Sequence, residues 1–101
     1  MSNMDNFPDI VVCPICKHEQ THQIAVEVFS RKEDEKEIST SIDFYDGTKK
    51  KTIYQNPSSR RQGLRIIFKC EDGCKFAFVI YQYKGFTTLD YEKELVENEK
   101  N

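Results

Sequence analysis

Leu64-Arg65-Ile66-Ile67-Phe68-Lys69-Cys70-Glu71-Asp72-Gly73-Cys74-Lys75-Phe76-Ala77-Phe78-Val79-Ile80-Tyr81-Gln82-Tyr83 decides the fold. It is two runs rich in β-branched and aromatic residues with a cysteine pair between them. Each run is short enough for a strand and alternates in the strand period. Leu64, Ile66 and Phe68 line one face of the first. Phe76, Phe78 and Ile80 line one face of the second, while Ala77, Val79, Tyr81 and Tyr83 make its other face apolar too. That pattern predicts a central strand covered on both sides.

Further strands are expected on either side. Upstream, Ile24 to Phe29 is β-branched and partly alternating. Arg31 to Glu37 is a mixed-charge run without an apolar residue, read as a solvated loop or hairpin tip. Ile38 to Tyr45 alternates, with Ile38, Thr40, Ile42 and Phe44 on one face. Asp46-Gly47 signals a hairpin, because glycine accepts the positive φ such turns need, and Lys49 to Tyr54 would return. Asn56-Pro57-Ser58-Ser59 marks a loop. Downstream, Lys84-Gly85 ends the aromatic run, Thr87 to Tyr91 is a short edge strand, and 92–101 is an acidic tail, frayed helix or disordered. The expectation is one all-β domain over 11–91, after a flexible 1–10, with an antiparallel sheet, little helix and an inserted hairpin region at 31–61.

The cysteines carry the chemistry. Cys13-Pro14-Ile15-Cys16 places two thiols three residues apart on a tight turn, able to aim both sulfurs at one ion while backbone N–H groups stabilise the thiolates. Cys70-Glu71-Asp72-Gly73-Cys74 has one residue more, and Gly73 lets the chain fold back. Both spacings lie within the range of zinc ligands, and four thiolates suit a closed tetrahedral Zn²⁺ site, one per chain. A redox pair at Cys13 and Cys16, disulfides, and an iron–sulfur centre on the same ligands remain open at this stage. The redox motif expects a helix at its first cysteine, whereas strands follow here. His18 and His22 follow the first pair and are read as surface or packing residues, with replacement of a ligand or outer hydrogen bonding to one as the alternative.

With Cys-Pro-x-Cys, a long β-rich middle and a cysteine pair between two apolar strands, the chain resembles the zinc-ribbon superfamily. Ile67-Phe68-Lys69-Cys70-Glu71 and Tyr83-Lys84-Gly85-Phe86-Thr87 are similar to small uncharacterised zinc-ribbon proteins of bacteria and their phages. The resemblance covers roughly 11–29 and 64–90. It departs at Lys17 and Lys75, which stand where a glycine usually follows each second cysteine, at the longer second knuckle, and in the 53 residues between Cys16 and Cys70. It implies a fold and a metal and supplies no activity.

Composition bounds the rest. A chain of 101 residues makes one domain, and with 32% charged residues a core alone stabilises it modestly, so a metal is a plausible supplement. Twelve Phe and Tyr argue against wholesale disorder. Met1 to Pro8 holds no Lys or Arg and no apolar run, and nothing approaches the ~18 apolar residues of a membrane span. A cytoplasmic protein without membrane contact is therefore expected. No nucleophile–base grouping, phosphate loop or carboxylate pair stands out, and a zinc with four cysteines has no open position, so the expectation is not an enzyme. The expected function is a zinc-binding interaction module docking onto a larger protein through an exposed sheet edge, the polar hairpin and the acidic tail. The alternative is nucleic-acid binding. Lys49, Lys50, Lys51, Arg60, Arg61, Arg65 and Lys69 fall in a window without one acidic residue, with Tyr54 and Phe68 among them. Phosphates and stacked bases would suit that mixture, and zinc ribbons resembling this one often work in transcription or nucleic-acid machinery.

Overall fold

In a computed structural model of the chain, which describes residues 10–32, 36–52 and 54–95, six strands form one antiparallel sheet. They are β1 (Thr21–Ser30), β2 (Ile38–Asp43), β3 (Lys49–Lys50), β4 (Gly63–Cys70), β5 (Lys75–Tyr83) and β6 (Phe86–Glu92). Their spatial order is β3-β2-β1-β4-β5-β6. No helix occurs among the described residues, and none is long and apolar enough to cross a membrane. The all-β antiparallel expectation therefore holds, and the hairpin inserted between the cysteine pairs is β2–β3, built onto β1 as part of the same sheet.

Each turn follows from local chemistry. Asp43 ends β2 because its Oδ1 accepts from the Tyr45 and Asp46 amides, an Asx turn competing with the ladder. Gly47 then takes φ 71° and its N–H donates to the Asp43 carbonyl at 2.9 Å. The return strand is only two residues long, not the six read from 49–54, of which Ile53 lies outside the described residues. Lys84 and Gly85, at φ 49° and 83°, form a two-residue turn with both positions left-handed, which suits the twist of the β5–β6 hairpin. β1 is longer than its apolar run. It pairs with β2 on one side and β4 on the other, and the ladder to β4 is shifted between Gln23 and Ala25.

Residues opposite each other in a ladder share a face, so the register sorts the sheet into two sides. One side holds Glu27, Phe29, Arg65, Ile67, Ala77 and Val79, all buried. Thr52 and residues 54–62 lie across it. Thr52 Oγ1 donates to Ser39 Oγ at 2.9 Å, the Tyr54 ring lies 5.8 Å from the Arg65 guanidinium, and Ser58 Oγ donates to the Gln82 carbonyl at 2.8 Å. Gly63 is required beneath this segment, because a Cβ there would come within 2.6 Å of Asn56 Oδ1 and 2.9 Å of Pro57 Cγ.

The opposite side holds Val26, Val28, Ile42, Leu64, Ile66, Phe78, Ile80 and Leu89. Its only fully buried part is the end nearest the cysteines. Elsewhere Val28 is 42% and Leu89 55% exposed, and Phe78 and Ile80 are half-buried. The expectation that β5 is covered on both sides is thus corrected: β5 has neighbours on both edges but a full cover on one face only.

The expected flexible start (1–10) lies outside the described residues except for Ile10, as do 33–35 of the Arg31–Glu37 run and 96–101 of the tail. Glu92, assigned above to that tail, is the last residue of β6 and bonds Arg65.

Candidate metal centre

The two cysteine pairs are far apart in the chain, and β-pairing brings them together. Thr21 lies opposite Cys70 in the β1–β4 ladder, and its hydroxyl donates to the Val11 carbonyl at 2.9 Å, which ties the first pair to β1. On the other side the Glu71 amide donates to the Gln20 carbonyl at 3.1 Å.

The first turn closes with Lys17 N–H on the Cys13 carbonyl and Cys13 N–H on the His18 carbonyl, both at 2.9 Å. The amides of Ile15 and Cys16 point at Cys13 Sγ from 3.4 and 3.5 Å. Lys17 takes φ 70°, the left-handed conformation that glycine adopts without strain, at the position where the zinc-ribbon pattern usually has one. The second turn solves the same problem differently. Its left-handed residue is Gly73, at φ 93°, just before Cys74, and Lys75 is free to begin β5. Gly73 N–H donates to the Cys70 carbonyl at 2.9 Å and Cys70 N–H to the Cys74 carbonyl at 3.0 Å.

All four sulfurs lie within 4.8 Å of one another, with Cys16 and Cys70 at 3.5 Å. A disulfide needs about 2.05 Å, and all four cysteines are free. A tetrahedron with metal–sulfur bonds of about 2.3 Å spaces its sulfurs at about 3.8 Å, so these residues fit one metal ion. His18 and His22 are not in this group. His18 Nδ1 accepts from the Gln20 amide at 3.0 Å, and His22 Nε2 contacts the Glu71 carboxylate.

Electrostatics point the same way. Burial opposes ionisation of Cys13, but the Cys16 and Ile15 amides and the neighbouring thiols outweigh it and bring the thiol down to about 7. For Cys16 the His18 amide favours the thiolate, yet burial and the sulfurs of Cys70, Cys13 and Cys74 prevail and push it up to about 12. Cys74 is also raised: its hydrogen bond with Cys16 favours the thiolate, and burial, the hydrogen bonds with Cys70 and Cys13 and the charge of Cys70 outweigh that. One thiolate forms readily and then resists the next, a repulsion that a divalent cation removes.

The inner side of the cluster is dry. Cys13, Phe68, Cys70 and Phe76 are buried together with Val11, Ile66, Cys74 and Phe78 packed against them. Phe68 and Phe76 stack at 5.2 Å with planes 6° apart. Burying such rings contributes about 2–3 kcal/mol each. The outer side is open at Cys16.

The basic residues singled out in the sequence do not form one surface. Lys50, Lys51 and Lys69 line a groove of about 550 Å³ together with Lys75, Tyr45 and Tyr54. Lys49 is exposed on β3. Arg60 and Arg61 border a separate hollow beside Tyr83 and Lys84. Arg65 is 2% exposed and bonded to Glu27 and Glu92, so it is not presented to a ligand. Lys75 was outside the 49–69 window, and its position directly opposite Lys69 in the β4–β5 ladder is what draws it in. No protein-family model, curated protein or solved structure matches the chain. Four clustered cysteines in a small all-β chain are compatible with a zinc ribbon.

Proposed function

We propose that the chain is a non-catalytic zinc-binding interaction module that docks onto a larger protein, with one Zn²⁺ held by Cys13, Cys16, Cys70 and Cys74. The observation that carries the metal half is the mutual approach of four sulfurs within 4.8 Å. Four thiolates complete a tetrahedral shell, which leaves no position for a reacting water or substrate, and the centre is then structural. Zinc suits a redox-inert site of this kind; iron on the same ligands is separated from it by elemental analysis and by its visible absorption.

The function then resides on the sheet. β6 is an edge strand of seven residues, paired on one side with β5. Its outward backbone groups can accept an added strand, and Phe86 and Leu89, 71% and 55% exposed, supply side-chain contacts. Affinity capture from nuclease-treated extract should recover one protein in stoichiometric amount, and Thr87→Pro, which removes an outward amide of β6 and no ladder bond to β5, should abolish the recovery. Recovery that disappears with nuclease would count against this reading.

The groove at Lys50, Lys51, Lys69 and Lys75 favours a second reading, binding of a single-stranded nucleic acid. Lys69 and Lys75 stand directly opposite each other, a like-charge pairing that an anion would relieve. Tyr45, 75% exposed at the rim, offers a stacking ring. Affinity for a labelled oligonucleotide should then fall with salt and with Lys50→Glu/Lys51→Glu. Equal binding by that double variant removes this reading.

A further inference from the structure

A β-layer with one apolar face needs a second layer against it, and among the described residues only one face of this sheet has one. From β2 across β1, β4 and β5 to β6 the uncovered face carries no charged residue; Lys49 of β3, opposite Ile42, stands at its rim. Its register positions are Thr40 and Ile42, Val26 and Val28, Leu64 and Ile66, Phe78 and Ile80, Leu89 and Tyr91. In a chain with 32% charged residues, so many consecutive uncharged face positions are not what a solvated sheet face would hold; antiparallel sheets that face water alternate apolar with polar. Val28 on β1 is 42% exposed, Leu89 and Tyr91 on β6 are 55% and 41% exposed, and Leu64, Ile66, Phe78 and Ile80 between them are half-buried.

We propose that this face is closed by the same face of a second copy, giving a two-fold β-sandwich with one cysteine cluster in each half. Three features select a copy of the chain as the occupant. A two-fold contact sets each patch against itself, and an uncharged patch meets no like charge when it does so. The same absence of charge gives a different partner nothing to recognise electrostatically. The size sets the strength. Five strands at about 4.8 Å and four or five residues at about 3.3 Å make a patch roughly 24 by 15 Å. Two such faces bury roughly 700 Å² in total, less than the standard specific interface and of the size of a weak dimer that forms and parts with concentration. Two sheets of equal twist pack face to face with their strands about 30° apart. This goes beyond the docking proposed for the β6 edge: it uses the sheet face, with Leu89 the one residue named for both, and leaves the outward backbone groups of that edge free.

Native mass spectrometry and light scattering on the metal-loaded full chain, over a dilution series from tens of micromolar downward, test it. The expected species has twice the 11.9 kDa chain mass and dissociates on dilution. Val28→Lys and Val28→Glu each place a charge at an exposed position where the fold can accept it, away from the β6 edge. Each should weaken association at least about tenfold, with metal content and far-ultraviolet circular dichroism unchanged. A chain that stays monomeric throughout the series overturns the proposal, and so does a dimer indifferent to both substitutions. Either result leaves the extract capture through β6 to be judged on its own.

Discussion

The Sγ atoms of Cys16 and Cys70 lie 3.5 Å apart, although 54 positions separate them in the chain. A cross-link at that separation removes about 4 kcal/mol of unfolded-chain entropy. For a domain of this size that is comparable with the whole net stability. The cluster therefore works as a clamp between the first turn and the β4–β5 turn. Cys16 is exposed and Cys70 buried, yet the clamp needs both. Cys16→Ser and Cys70→Ser are each expected to lose tight metal binding and at least about 4 kcal/mol of stability, read by metal analysis and chemical denaturation. A Cys16→Ser protein with unaltered metal content and midpoint would show that the exposed thiol is not a ligand.

Metal affinity should rise with pH. Cys16 and Cys74 are both raised above the ordinary thiol value, Cys16 to about 12. Both therefore carry protons at neutral pH in the metal-free chain, and binding must displace at least these two. Affinity measured by competition with a chromophoric chelator should climb at least about 100-fold per pH unit near neutrality. Acidification favours the protonated, metal-free form, so the metal is lost as pH falls. A flat profile would mean that the sulfurs do not bind as thiolates.

Arg65 is bonded at 2.8 Å to Glu27, beneath the Tyr54 loop, and also bonds Glu92. Burial pushes the Glu27 carboxyl up, and the guanidinium works against that. Removing one partner leaves the other charge buried alone. Arg65→Ala should cost about 3–5 kcal/mol, whereas Glu27→Leu/Arg65→Met should cost much less. Thermal or urea denaturation of the single and double variants separates the two costs.

The two knuckles store backbone strain differently, and this can be read by exchanging glycine. Lys17 holds φ 70° and Gly73 holds φ 93°. Lys17→Gly should leave stability unchanged or raise it by up to about 1 kcal/mol, because the left-handed conformation loses its side-chain penalty. Gly73→Val should lower it by about 1–3 kcal/mol although the space is open. If both substitutions shift the denaturation midpoint equally, the turns do not carry the load assigned to them.

Much of this arrangement could be read from the residues. Leu64–Lys69 and Lys75–Tyr83 announced β4 and β5 through their alternation, and the knuckles through cysteine spacing and Gly73. Two things stayed hidden because they are non-local. Arg65 read as one more cation in a basic window. What marks it as internal is its phase, on the same face as Ile67 and, across the ladder, Glu27. That pairing requires knowing that β1 neighbours β4, which no spacing in the sequence states. The cover over β5 misled for a similar reason. Apolar residues on both faces of a strand say that both want burial, and the described residues supply a cover, Thr52 and 54–62, for one of them.

Native mass spectrometry of the full chain with and without a strong chelator tests the central claim most directly. The account predicts one zinc per chain, and loss of the β-sheet circular dichroism when the metal is stripped. A reduced, stably folded chain that carries no metal as purified and takes up none when zinc is added would contradict it.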